Sequence, residues 1–142
     1  MAVTVKEITL WRREIENRPG MLARVLEPLA GSTDLHVLMA YRYPGDETRG
    51  AVELFPVSGK KAVAAAERAG LTRADIPALL VEGSNRAGIG FETTTAIAAA
   101  GVNLAFLVAQ VIGSKFSAVY GFDSEADRRQ VAKVLKKAPK KR

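Results

Sequence analysis

The sequence predicts an α+β fold made of two tandem ferredoxin-like βαββαβ repeats. Each has an antiparallel sheet with helices on one face, and the second lacks its final strand. Three observations predict this. First, "ENRPGMLARVLEPLA" at 16–30 and "SNRAGIGFETTTAIA" at 84–98 share an Asn-Arg-x-Gly turn that runs into a helix-compatible stretch. Second, Asn85 follows Asn17 by 68 residues in a chain of 142, close to half its length. Third, the elements around the first turn recur around the second, and Asp34-Leu35 aligns with Asn103-Leu104 after one inserted residue. Internal self-similarity at a fixed spacing is the mark of a repeated supersecondary unit.

In the first half, "TVKEITLWRREI" (4–15) partly alternates and is expected as one strand, with Ile8, Leu10 and Arg12 on one face. Pro19 sits just inside a helix start, where its missing N–H costs nothing. Met21, Leu22, Val25, Leu26 and Leu29 recur at helical spacing. Pro28 disturbs that helix near its end, and Gly31 suits its termination. "DLHVLMAYRY" and "RGAVELFPV" are strands joined by the turn chemistry of "PGDETRG". "SGKKAVAAAERAG" is a second helix with Ser58 as its candidate cap.

The second half repeats the order. "PALLVEG" (77–83) is a strand, and "AGIGFETTTAIAAAG" is a helix weakened by three threonines. "VNLAFLVAQVIG" and "SKFSAVYGF" are strands that meet at Gly113 and Ser114. In the first of them, Leu104, Phe106, Val108 and Ile112 share one face, and Ala105, Leu107, Ala109 and Val111 the other. "DSEADRRQVAKVLKK" has acids in its first turn, lysines in its last, and either Asp123 or Ser124 as cap. The expected domains are 1–76 and 77–142. Residues 71–76 offer the first repeat a weak fourth strand, whereas only "APKKR" follows Lys137 in the second. The strand 77–83 is therefore expected at an unpaired, uncharged sheet edge. With two apolar faces at 104–112, this predicts a homodimer.

Composition narrows the chemistry. Apolar residues make up 48% and charged ones 25%, which is a globular and not a disordered balance. No apolar run approaches the roughly 18 residues of a membrane span, and "MAVTVKEITL" lacks a leader's apolar core, so a cytoplasmic address is expected. With no cysteine and one histidine, His36, no metal, cofactor or catalytic residue is expected. The net charge of +6 lies in the tail: residues 133–142 hold six Lys/Arg and no acid, leaving a neutral body.

The turn "NRPG" between a first strand and first helix, followed by a hairpin and a second helix, resembles the ACT domain. That family's small ferredoxin-like module binds amino acids and other effectors in metabolic regulators. The resemblance spans nearly the whole chain, as copies Thr4–Ile76 and Pro77–Lys137. The second copy departs at Ala87, where the family usually has proline, and lacks the final strand. The resemblance implies a non-catalytic sensor for a free amino acid, with one site per chain or two, acting on a separate target protein. It places the ligand in the turns, where Asn17, Arg18, Gly20, Met21 and Leu22 stand in the first copy. Their counterparts are Asn85, Arg86, Gly88, Ile89 and Gly90, with Asp34 and Asn103 nearby.

Such a turn has a physical basis as a carboxylate site. Unpaired helix N–H groups point into it, and glycine lets a ligand approach the backbone. Each residue also has a plainer role: the glycines can serve the turn alone, and Asn17 and Asn85 can cap helices. Two rivals fare worse. RNA-recognition modules of this fold stack bases on third-strand aromatics, but Ala51, Glu53, Ser117 and Val119 hold those positions here. Glu14 and Glu16 could form a catalytic carboxylate pair, yet no phosphate loop or other motif supports chemistry.

Overall fold

The computed structural model describes residues 3–137; the last five residues of the basic tail lie outside the described residues. The first half contains β1 Val3–Ile8, β2 Trp11–Glu16, α1 Met21–Leu26, β3 Val37–Tyr43, β4 Asp46–Phe55, α2 Lys60–Arg68 and β5 Thr72–Arg73. The second contains β6 Ala78–Ser84, α3 Ile89–Ala99, β7 Leu104–Ile112, β8 Lys115–Phe122 and α4 Glu125–Lys137. Among the described residues, no helix is long and apolar enough to cross a membrane.

Residues Thr9–Asp75 form one compact unit, with sheet order β3-β4-β2-β5 and every neighbour antiparallel. That is the strand order of a split βαβ fold. Trp11 and Ile15 from β2 and Val52 and Leu54 from β4 face the helices. Val25 and Leu29, and Ala65, Ala66 and Ala69 of α2, complete this core. Alanine at the α2 positions lets its backbone approach the sheet closely. Pro28 ends α1 after six residues, and the chain continues as a 3-10 turn, Glu27–Leu29. The α2 N-cap is Gly59, without a side-chain bond, so Ser58 is not its cap. On α4, Ser124 does cap: its Oγ accepts from the Asp127 N–H at 3.1 Å.

The other unit holds everything from Ile76 onward together with the N-terminal strand, in sheet order β1-β6-β8-β7. This corrects two expectations. The alternating stretch 4–15 is not one strand: it breaks at Thr9-Leu10, and β1 and β2 join different sheets. Nor is β6 an edge, because it pairs with β8 on one side and β1 on the other, Val5 facing Val81 and Ile8 facing Ala78. The first strand of the chain thus stands where the second repeat lacks a fourth strand of its own. The compact units accordingly differ from 1–76 and 77–142 by that strand. Largely buried Arg128 on α4 holds it, donating to the Ile8 carbonyl at 3.3 Å and lying 3.6 Å from Glu7.

The core here joins Leu79 and Val81 of β6, Phe116, Tyr120 and Phe122 of β8, Ile97 of α3, and Val131 and Leu135 of α4. Thr93, one of the threonines that weaken α3 by propensity, is fully buried and bonds the Tyr120 hydroxyl at 2.5 Å. Strand β7 is bulged at its start: Leu104 faces Phe122, and Phe106 faces Gly121. The bulge turns Leu104 to the helix side and Phe106 to the other, so the two do not share a face as simple alternation predicts.

Candidate functional site

Both Asn-Arg-x-Gly turns have the same backbone. The Asn17 N–H donates to the Thr48 carbonyl at 2.8 Å, and the Asn85 N–H to the Ser114 carbonyl at 2.7 Å. Gly20 and Gly88 follow at φ +87° and +86°, a left-handed conformation that costs an L-residue. Each is the helix N-cap without a side-chain bond, so neither asparagine caps a helix. The Asn17 side chain instead donates to the Glu47 carbonyl at 2.7 Å, tying the turn to the β3–β4 hairpin. Nothing lies within 4 Å of where a Cβ would project from Gly20 or Gly88, so both turns present open backbone.

A groove of about 220 Å³ lies against the first turn. Ile15, Met21 and Leu22 give it apolar walls, and Ala40 and Arg42 of β3 form the far side. Its floor is Gly50, where a Cβ would lie 2.3 Å from the Tyr41 carbonyl oxygen; the close strand approach leaves no room for a side chain. Glu16, Asn17 and Arg18 line the rim. Arg18 Nε donates to Glu16 Oε2 at 2.9 Å, with both side chains more than half exposed. Arg42 has no side-chain partner among the described residues. A more polar hollow of about 560 Å³ continues past Glu16, Asn17 and Arg18 towards Glu47, Thr48 and Arg49.

The second turn differs in its side chains. Arg86 donates to Glu92, one turn into α3, at the place where the first repeat has Arg24. That bond is the main reason the Arg86 guanidinium is held above its ordinary pKa. The Gly90 carbonyl accepts from Thr93 at 3.0 Å and Thr94 at 2.8 Å. Ile89, like Met21, is buried beneath its turn.

Of the residues expected at a site, Asn17, Arg18, Met21 and Leu22 line the first groove, and Gly20 shapes its turn. Asn85, Arg86, Gly88, Ile89 and Gly90 make up the second turn. Asp34 and Asn103 do not join the turn of their own repeat. Each precedes the strand whose first residues pair with the far end of β4 or β8, away from the hairpin beside the turn. Asp34 is exposed, 3.7 Å from His36. Sequence reading missed Arg42 and Gly50. Alternation in "LMAYRY" puts Ala40 and Arg42 on one face, and that was the available signal.

The rival readings gain no support. Ala51 and Glu53, at the stacking positions of an RNA-recognition sheet, are 0% and 1% exposed, and Val119 is buried as well. Glu14 is paired with Arg49 at 2.5 Å and Glu16 with Arg18, so the two carboxylates serve separate arginines.

No protein-family model matches the sequence, and no curated protein matches it. Solved structures do match. Protein BT0572 from Bacteroides thetaiotaomicron superposes with a TM-score of 0.76 at 17% identity, over 93% of this chain and 90% of that one. The ligand-free regulatory subunit of aspartate kinase from Thermus thermophilus superposes with a TM-score of 0.63 at 16% identity, over 99% of both chains. The corresponding subunit from Thermus flavus gives 0.57 at 18%, over 95% and 97%. At these identities the likeness is one of fold: the chain has the tandem ferredoxin-like architecture of these proteins.

Proposed function

We propose that the protein is a non-catalytic regulator that binds a free amino acid at the first-repeat turn and acts on a separate target protein. The observation that carries this reading is the groove: an open turn, apolar walls and charges of both signs within 220 Å³. A zwitterion with a side chain needs those three features together. The fold shared with regulatory subunits of a kinase supports a regulatory role over a catalytic one. Calorimetry on the full chain with each of the twenty amino acids at millimolar concentration tests it. Silence across all twenty would favour an ACT-like scaffold that binds no ligand.

We also propose a homodimer, on a different strand from the one sequence reading favoured. With β6 paired on both sides, the edge strands of that sheet are β1 and the apolar β7. Strand β7 is uncharged over nine residues, and its Leu107, Val108, Val111 and Ile112 are exposed. A long apolar edge without Lys or Pro invites a further strand, and a second copy supplies one by two-fold symmetry. Light scattering at micromolar concentration decides: a mass near 15.2 kDa contradicts the dimer.

A further inference from the structure

We infer that Arg42 selects the ligand of the first-repeat groove, and that its ligand class is amino acids with one carboxylate, one ammonium and an aliphatic side chain. The inference rests on the amino-acid reading above and narrows it. Three charged side chains line this groove: Glu16, Arg18 and Arg42. Arg18 is matched by Glu16 Oε2 at 2.9 Å, which leaves the Arg42 guanidinium as the uncompensated charge. One unmatched cation recognises one carboxylate, and the planar fork of arginine does so with two parallel bonds.

The other end of the zwitterion has a place as well. Only Oε2 of Glu16 is engaged by Arg18, so Oε1 remains an acceptor for an ammonium group. Ile15, Met21, Leu22 and Ala40 then face the side chain, and none of them offers a hydrogen bond to a polar one. A volume of about 220 Å³ exceeds the roughly 150 Å³ of a protein cavity that holds benzene, so it is of small-molecule size. A second carboxylate, as in glutamate, finds no second free cation and is repelled by Glu16. A second ammonium, as in lysine, meets two arginines.

Arg42 lies exposed on the outer strand β3, so its replacement leaves the core intact. The test is calorimetry on the full chain with L-leucine, L-methionine, L-glutamate, L-lysine and L-leucinamide, on wild type, Arg42→Ala and Arg42→Lys. Leucine and methionine are expected to bind, with glutamate and lysine about tenfold weaker or worse. Arg42→Ala should weaken leucine about tenfold or more, and Arg42→Lys should restore part of that loss. Leucinamide, which lacks the carboxylate, should bind wild type and Arg42→Ala alike. Equal affinity for glutamate or lysine, or leucine binding indifferent to Arg42→Ala, overturns the inference and leaves the amino-acid reading standing. Absence of binding by leucine and methionine overturns it too, and silence across all twenty amino acids removes the broader reading with it.

Discussion

Arg86 and Glu92 are paired to each other inside the second turn, whereas Arg18 of the first turn leans outward to Glu16. The turns share a backbone, but the first pairs its arginine at the rim of an open groove, and the second pairs its arginine with Glu92 of its own helix. The account therefore predicts one amino acid bound per chain. Glu16→Gln should weaken binding and Arg86→Ala should leave it unchanged, as read by calorimetric affinity and stoichiometry. A stoichiometry of two would show that the Arg86–Glu92 pair does not close its turn.

Two glycines carry the groove for different reasons. Gly20→Val forces a branched residue to φ +87°, at about 1–2 kcal/mol, and places its side chain over the turn. Gly50→Ala instead drives a Cβ against the Tyr41 carbonyl and should cost about 1–3 kcal/mol by displacing β3 from β4. Both variants should lose affinity as well as stability. Gly31→Ala, at a position with open space and no positive φ, is the control and should melt as wild type.

Strand β1 is held to its sheet by the ladder with β6 and by Arg128. The Arg128 head is largely buried and also bonds Glu125 at 2.5 Å. Removing a charged donor from such a place costs about 1–3 kcal/mol. Arg128→Ala should lower the urea midpoint, and amide exchange over Val3–Ile8 should accelerate more than exchange over β2. Uniform acceleration across both strands would mean that Arg128 does not act on β1 in particular.

The phenols set an alkaline limit. Burial, first, pushes the Tyr120 hydroxyl above its ordinary pKa, and the bond with Thr93 only partly opposes this. Tyr41 is raised by burial and then by its bond to Glu53 at 2.7 Å. Folded tyrosines with raised pKa keep protons that the unfolded chain has lost, so their stabilisation is intact below the unfolded value of about 10. It is lost as pH climbs through the folded values. Urea denaturation at rising pH above 10 should show falling stability. Thr93→Val, which strips Tyr120 of its partner, should cost about 1–3 kcal/mol at neutral pH.

Much of this was legible because it is local. The Asn-Arg-x-Gly turns, the hairpin at "PGDETRG" and the Ser124 cap are each written in a few adjacent residues. The transfer of β1 was not, since the alternation runs through Thr9-Leu10 with no glycine or proline to mark the break. Strand β5 is only two residues long, too short for any periodicity. Arg42 enters the groove through the pairing of β3 with β4, whose register shifts between Arg42 and Tyr43. Such a shift depends on pairing across the hairpin, Arg42 with Gly50 and Tyr43 with Asp46. The asparagines looked like caps because Asn favours that position. Here glycine takes the N-cap, and Asn17 is drawn to the hairpin carbonyl instead.

The measurement that bears most directly on the central claim is an amide ¹H–¹⁵N titration of the full chain with L-leucine. The account predicts saturable shifts confined to the first-repeat groove, at Asn17–Leu22, at Ala40–Arg42 and at Gly50, with Asn85–Gly90 unmoved. Shifts centred on Asn85–Gly90 with a silent first turn would contradict it.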